Sequence, residues 1–196
     1  MYALPDATLD QLFREARTHR WWEERPIPEA TLREIAELAK MGPTSANSSP
    51  GRFVFVVSAQ AKEKLRPHLD EGNLRQTMSA PATVIVAYDT EFYEKLFYLA
   101  PNSPDARSWF AGKPEAIERA GFQGSCLQGA YLIMAARSLG IDCGPMGGFS
   151  RKGVDEAFFP DGRTKSNFLI NLGYGIAEKL HPRQPRFAFE EFCTVA

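Results

Sequence analysis

The sequence predicts one domain in which a sheet is sandwiched between helices, of the α/β or α+β class. Three observations carry that expectation. Several segments repeat apolar residues at helical spacing, and others are short apolar runs bounded by turn residues, the pattern of buried strands. Helical segments often connect the strands. The chain has 196 residues, 44% hydrophobic and 24% charged, which is enough apolar material for one real core. Residues 1–196 are therefore taken as a single domain.

The elements follow in order. Residues 8–18 predict an amphipathic helix through Leu9, Leu12, Phe13 and Ala16. Residues 28–41 predict another, with Leu32, Ile35, Ala36, Leu38 and Ala39 on one side, Pro28 in its first turn and Gly42-Pro43 ending it. A polar loop, GPTSANSSPG, then runs straight into Phe53-Val54-Phe55-Val56-Val57, which reads as an interior strand over 52–57. A short charged helix is expected over 60–69 and a strand covered on both faces over 82–88. Residues 89–113 are irregular, rich in proline and aromatics, and suit a lid. A long helix over 114–139 carries Gly121, Gly124 and Gly129. Each interior glycine costs about 1 kcal/mol relative to alanine, so either tight internal packing or a partner subunit must offset it. A short strand enters a glycine-rich loop over 140–149, and 166–175 is a buried strand. Phe187, Phe189 and Phe192 make the tail, 176–196, too apolar to hang free, so it should dock.

Composition also excludes function classes. A net charge of -1 gives no electrostatic case for nucleic acid or an anionic membrane. No stretch approaches the length of a membrane span, and the acidic opening MYALPDATLDQLF is not expected to act as a signal peptide. Cys126, Cys143 and Cys193 form neither a CxxC motif nor a disulfide framework, so the expected setting is a reducing cytoplasm. His19, His68 and His181 are scattered, and no metal site is expected. There is no GxSxG elbow and no GxxxxGK[ST] loop, and Gly173-Tyr174-Gly175 lacks the rest of a dinucleotide fingerprint. A hydrolase built on Ser125 or Cys126 is accordingly remote.

Four polar clusters remain, each beside a core element. They are Ala16-Arg17-Thr18-His19-Arg20-Trp21-Trp22, the loop Pro43-Thr44-Ser45-Ala46-Asn47-Ser48-Ser49-Pro50, the loop Gly144-Pro145-Met146-Gly147-Gly148-Phe149, and Pro182-Arg183-Gln184-Pro185-Arg186. Singly, each reads as a helix end, a turn or a solvated patch. The guanidinium groups of the first could equally hold a phosphate.

Taken in order, the clusters resemble the nitroreductase family of flavin mononucleotide (FMN) oxidoreductases. ARTHRWW is similar to that family's opening Arg-Arg-Ser-x-Arg stretch, and PTSANSSP to its Pro-Ser-x-x-Asn-x-Gln-Pro loop. Asn73 matches an Asn beside a short helix, Leu139 to Phe149 the Leu-Gly to Gly-Phe segment, and 173–186 the Gly-Tyr-Gly and late Arg segment. ARTH, GPTSAN, DARSWF, AYLI, GPM and LIN-GYG look closest to a branch that reduces malonic semialdehyde. Three positions depart: Ala16 for an Arg, Ser49 for a Gln and Gly147 for a Glu.

The resemblance implies an α+β fold with a mixed, mainly antiparallel sheet between helices, in an entwined homodimer with FMN across the interface. It implies that Arg17, Thr18, His19 and Arg20 meet the phosphate and pyrimidine edge, and that Arg183 and Arg186 add charge at the phosphate. Pro43, Thr44, Ser45 and Asn47 would reach the ring from the partner, Asn73 the ribityl or ring edge, and Pro145, Met146, Gly147 and Gly148 one ring face. It further implies ping-pong hydride transfer from NADH or NADPH through flavin N5, with no protein nucleophile among the catalytic groups. Arg107, Trp109 and Phe110 are candidates for binding the acceptor, most simply malonic semialdehyde. A general nitro or quinone reductase, or a flavin carrier without turnover, are the alternatives.

Overall fold

In a computed structural model, which describes residues 2–196, the chain forms a four-stranded sheet between two helical layers. A first helical stretch, α1 (Asp6–Leu9), continues as a wider π turn to Arg14. There follow α2 (Glu29–Ala39), β1 (Gly51–Val56), α3 (Ala59–Leu65), α4 (Glu71–Ser79) and β2 (Ala82–Asp89). The second half has α5 (Leu96–Leu99), α6 (Pro114–Ser138), β3 (Asp142–Met146), α7 (Arg151–Phe158), β4 (Thr164–Gly173) and the short α8 (Phe189–Phe192). Strand order is β1-β2-β4-β3, and every ladder is antiparallel. The parallel character expected for the sheet is confined to one bridge, Thr18 with Cys143.

The period-2 alternation of the strands divides the core. Val84, Val86, Ile170 and Leu172 face α2 and α6, where they meet Leu32, Ile35 and Leu132. Ile85 and Leu169 face the other way, onto Leu65 of α3 and Val154 of α7. The irregular segment 89–113 is a set of short helical turns with its own small core of Phe92, Leu96, Ala106 and Phe110.

One expectation needs correction, and two others are sharpened. The strand behind the polar loop is not interior: β1 is a sheet edge that pairs only with β2, and most of it is half-buried. The glycines of α6 are explained by this chain alone. A Cβ at Gly121 would lie 2.4 Å from the Tyr88 ring, one at Gly124 2.4 Å from Pro50, and one at Gly129 2.5 Å from Phe168. Small residues therefore let α6 sit close on the sheet, and the offset to their helix cost is internal packing. The first part of the tail contacts its own chain, through Ile176 to Trp21, His181 to Arg17 and Arg183 to Ala16, whereas Phe187 and Phe192 at its apolar end are 75% and 77% exposed.

Candidate functional site

The first polar cluster is tied by backbone pairing to β3 and to the chain just after β4, the stretch that leads into the last cluster. The amide of His19 donates to the Cys143 carbonyl at 3.0 Å, that of Glu23 to Tyr174 at 2.8 Å, and that of Ile176 to Trp21 at 3.0 Å. Residues 18–23 thus run as an irregular strand between the start of β3 and the chain leaving β4. The fit is close: a Cβ at Gly175 would lie 1.9 Å from His19 Nδ1, and one at Gly144 2.5 Å from the His19 carbonyl. Trp22 is turned into the core, its Nε1 donating to the Gln76 carbonyl at 3.0 Å.

This pairing turns Arg17, Thr18, Arg20 and Trp21 outward and brings Arg183 and Arg186 to face them. Together with Arg137 and Lys179 they line a cavity of about 420 Å³. Six cationic side chains and a threonine hydroxyl in one concave site make a donor set suited to an anion of more than one charge. Local carbonyls hold the guanidiniums in place. Arg17 donates to the His181 carbonyl, Arg183 Nη2 to Ala16 at 3.0 Å, and Arg186 Nη1 to Gln184 and Pro185 at 3.0 Å each. The Arg75 guanidinium stacks 3.4 Å over the Trp21 ring and stiffens the wall.

His19 does not line this cavity. Its ring is buried beside Asp142, 3.5 Å from Nε2, and its Nδ1 finds no hydrogen-bond partner among the described residues. Burial lowers its pKa, opposed by Asp142 and reinforced by Arg17, so the ring is neutral and supports the wall from behind. A contact between this side chain and a phosphate, expected from the sequence, is set aside on this geometry.

Asn73, on α4, secures the glycine-rich loop: its Nδ2 donates to the Gly148 carbonyl at 2.9 Å, while its Oδ1 accepts from Gln76. A Cβ at Gly148 would lie 2.4 Å from that Nδ2, so Gly148 is small because of Asn73. Nothing lies within 4 Å of the space a Gly147 side chain would take, and Pro145 and Gly147 are exposed. Met146 is turned inward, with its sulfur accepting from Thr77 and Gln76 at 3.6 and 3.7 Å. Only its backbone is free to meet a ligand.

The loop at 43–50 belongs to a different neighbourhood. Ala46, Asn47 and Ser49 all adopt left-handed backbone, with φ of 53°, 50° and 40°. Such conformations cost roughly 1–2 kcal/mol per non-glycine residue, and they gather where the surroundings impose them. The Ser49 amide donates to Thr44 Oγ1 at 3.0 Å, and Asn47 Nδ2 to the Leu99 carbonyl at 2.7 Å. Ala46 packs on the small core of the 89–113 segment. Pro43, Ser45 and Asn47 are exposed, whereas the buried Ser48 hydroxyl has no partner among the described residues. The basic cavity's lining includes no residue of 43–50 or 89–113.

Within that segment Arg107 is already engaged. It forms a two-pronged pair with Glu94, Nε to Oε2 at 2.8 Å and Nη2 to Oε1 at 2.6 Å. Trp109 is half-exposed, but Phe110 is buried with its ring 5.0 Å from that of Phe92. Phe110 is a core residue of the segment and does not present itself to an acceptor. Of the other nucleophiles, burial pushes the Cys143 thiol up to about 12, which leaves it protonated.

Arg137 and Lys179 were not singled out from the sequence. Lys179 lies three residues before Pro182 and could have been included with that basic cluster. Arg137 ends a long helix, where a cation is expected for the dipole alone, so no sequence signal distinguished it.

Comparisons with known proteins agree with one another. A profile described as the Nitroreductase family matches residues 13–174. A relative from Rhodopseudomonas palustris, provisionally named NADH dehydrogenase/NAD(P)H nitroreductase, is 56% identical over 192 residues, covering 98% of this chain and 97% of its own. One of the same provisional name from Ralstonia nicotianae is 54% identical over 195 residues, covering all of both chains. The fold matches a provisionally named nitroreductase from Exiguobacterium sibiricum, solved in complex with FMN, at TM-score 0.85 and 21% identity, covering 100% of this chain and 99% of the other. With the family profile matched over residues 13–174 and relatives more than half identical along nearly the whole chain, the protein is a member of the nitroreductase family, a family of oxidoreductase enzymes.

Proposed function

We propose that this protein is an FMN-dependent NAD(P)H oxidoreductase that works as a homodimer, each flavin being held by residues of two chains. The observation that carries the reading is the basic cavity. Arg17, Arg20, Arg183 and Arg186, with the Thr18 hydroxyl, supply the charge and the directed N–H and O–H donors that a phosphate monoester needs. Asn73 fixes the 145–148 loop, whose exposed Pro145 and Gly147 leave a bare backbone surface for a flat ring. When bound, the flavin supplies the hydride chemistry, accepting from NADH or NADPH and donating to a second substrate. The chain's part is to bind and orient it and to stabilise its negative charge with preorganised cations.

Two observations support a second copy. The strained loop with Thr44, Ser45 and Asn47 is exposed and does not line the basic cavity of its own chain. Phe122, Leu127 and Tyr131 of α6 are 40–47% exposed, and the tail phenylalanines more so, apolar side chains that a partner could cover. A dimer covering these faces would bring the loop of one chain to the cavity of the other. That assembly, in the cytoplasm, is part of the reading.

For the acceptor, the leading candidate is malonic semialdehyde, its carboxylate exchanging with Glu94 on Arg107. The pair is exposed, and exposed pairs contribute little, so exchange is feasible. The same pair favours a second reading, an uncharged nitro or quinone acceptor that needs no free Arg107. Purified protein mixed with FMN should turn yellow and bleach anaerobically on addition of NADH or NADPH. A preparation that refuses FMN sinks the proposal. Relative kcat/KM for malonic semialdehyde, a nitro compound and a quinone then separates the acceptors.

A further inference from the structure

We infer that Arg52 is a positioning residue: through Asp89 it sets the conformation of the 43–50 loop, and so the placement of Thr44, Ser45 and Asn47. This rests on the proposed role of that loop at the flavin.

The geometry is specific. Arg52 is the second residue of β1, immediately after the loop. Its Nη1 donates to the Ser49 carbonyl at 3.1 Å and to that of Gly51 at 2.9 Å, while Nη2 donates to Asp89 Oδ2 at 2.7 Å. Asp89 is 2% exposed and closes β2 where the 89–113 segment begins. Its carboxylate also accepts from Arg163 Nε and Nη2 at 2.7 Å each and from the Glu91 amide at 2.8 Å, and its own amide donates to the Pro50 carbonyl at 2.9 Å. Three successive loop carbonyls, those of Ser49, Pro50 and Gly51, are thus gathered at one Arg–Asp unit. Three left-handed residues precede it, and such residues persist only where the surroundings over-determine them. The same Asp89 begins the segment whose Leu99 carbonyl holds Asn47, so both ends of the loop's support lead back to this unit.

Strand pairing does not need this side chain. The backbone of Arg52 is in register with Ala87 and pairs through its own groups. Lysine would keep a charge beside Asp89, but a single ammonium lacks the planar fork that reaches the carboxylate and two carbonyls together. Arg52→Lys therefore separates loop placement from folding, and Arg52→Ala is the harsher variant.

The test compares full-length wild type, Arg52→Lys and Arg52→Ala. It uses amide hydrogen exchange of the 43–50 and 166–173 segments without flavin, the Tm, and the Kd for FMN from fluorescence quenching. For Arg52→Lys the expected result is a Tm close to wild type, exchange at 43–50 faster by about tenfold with 166–173 unchanged, and a Kd for FMN raised about tenfold. Unchanged exchange and Kd would overturn the inference, as would acceleration spread equally over both segments, the signature of plain destabilisation. Should Arg52→Ala fail to fold, Arg52→Lys still decides. Should wild type refuse FMN, the functional reading falls, and the exchange measurement still decides whether Arg52 places the loop.

Discussion

The two halves of the candidate site are built in opposite ways. The basic cavity rests on backbone pairing: residues 18–23 are laced between β3 and the chain after β4, and the cations project from a frame that fits so closely that only glycine is admitted at 144 and 175. The 43–50 loop meets the sheet through its backbone at its end, where the Asp89 amide donates to the Pro50 carbonyl. It holds three left-handed residues by side-chain hydrogen bonds and by contact with a segment that has its own core. The first half is complete within one chain and needs only a ligand. The second is a presented surface, and its exposed polar groups make sense when they face something else.

That contrast can be broken at several points. The largest effect is expected from Arg17→Ala combined with Arg183→Ala. Each removes a charge-assisted contact worth about 1.5–3 kcal/mol, so FMN affinity should fall by on the order of 10²–10⁴-fold with the far-UV spectrum intact. Fluorescence titration measures this, and affinity within a few-fold of wild type would mean that the phosphate lies elsewhere. Gly175→Ala attacks the frame. With a Cβ 1.9 Å from His19 Nδ1, the segment must shift, and overpacking of this kind costs about 1–3 kcal/mol, read as a lowered Cm in urea together with weaker FMN binding. An equivalent change in the exposed loop, Ser45→Ala, should alter FMN binding and leave Cm unmoved.

Acid should weaken the frame before the loop. The pKa of His19 is lowered in the folded protein, chiefly by burial. The unfolded chain therefore takes up a proton first as pH falls below about 6.5, and stability, full above that value, declines until the folded-state pKa is passed. Tm measured from pH 7.5 to 5 should fall, and His19→Asn, which cannot charge, should flatten the profile. The smallest effect is expected at Ser48. Its buried hydroxyl lacks a partner, so Ser48→Ala should be neutral or stabilising by up to about 1 kcal/mol in urea melts.

Much of this was legible in the sequence, and the exceptions have physical causes. The amphipathic period located α2, the glycine-punctuated helix became α6, and apolar runs located β2 and β4. The expected helix over 8–18 stops at Arg14, and the carbonyls of Arg14 and Ala16 are instead turned to Arg183. Periodicity carries no information about a partner 167 residues away. The same limit explains β1, since an apolar run reads alike at an edge and at the centre of a sheet. His19 and Phe110 share sequence motifs with residues that face outward, yet both of their own side chains point inward. A motif gives the address of a segment, and alternation along that segment decides which residues face out. Arg183 and Arg186 line one cavity with Arg17 and Arg20, two basic clusters that the sequence shows separately and the fold brings side by side.

The central claim is that one flavin site draws its basic cavity from one chain and its polar loop from another. Subunit complementation tests it most directly. The Arg17→Ala/Arg183→Ala chain and a chain carrying Thr44→Ala/Asn47→Ala would each be expressed alone and then together, and bound FMN counted by absorbance per chain. If the halves come from different chains, each variant alone binds little. Random co-assembly then restores about one quarter of the sites, because half the dimers are mixed and each mixed dimer has one intact site. If both halves came from the same chain, every site in every dimer would carry a lesion, and co-expression would restore none.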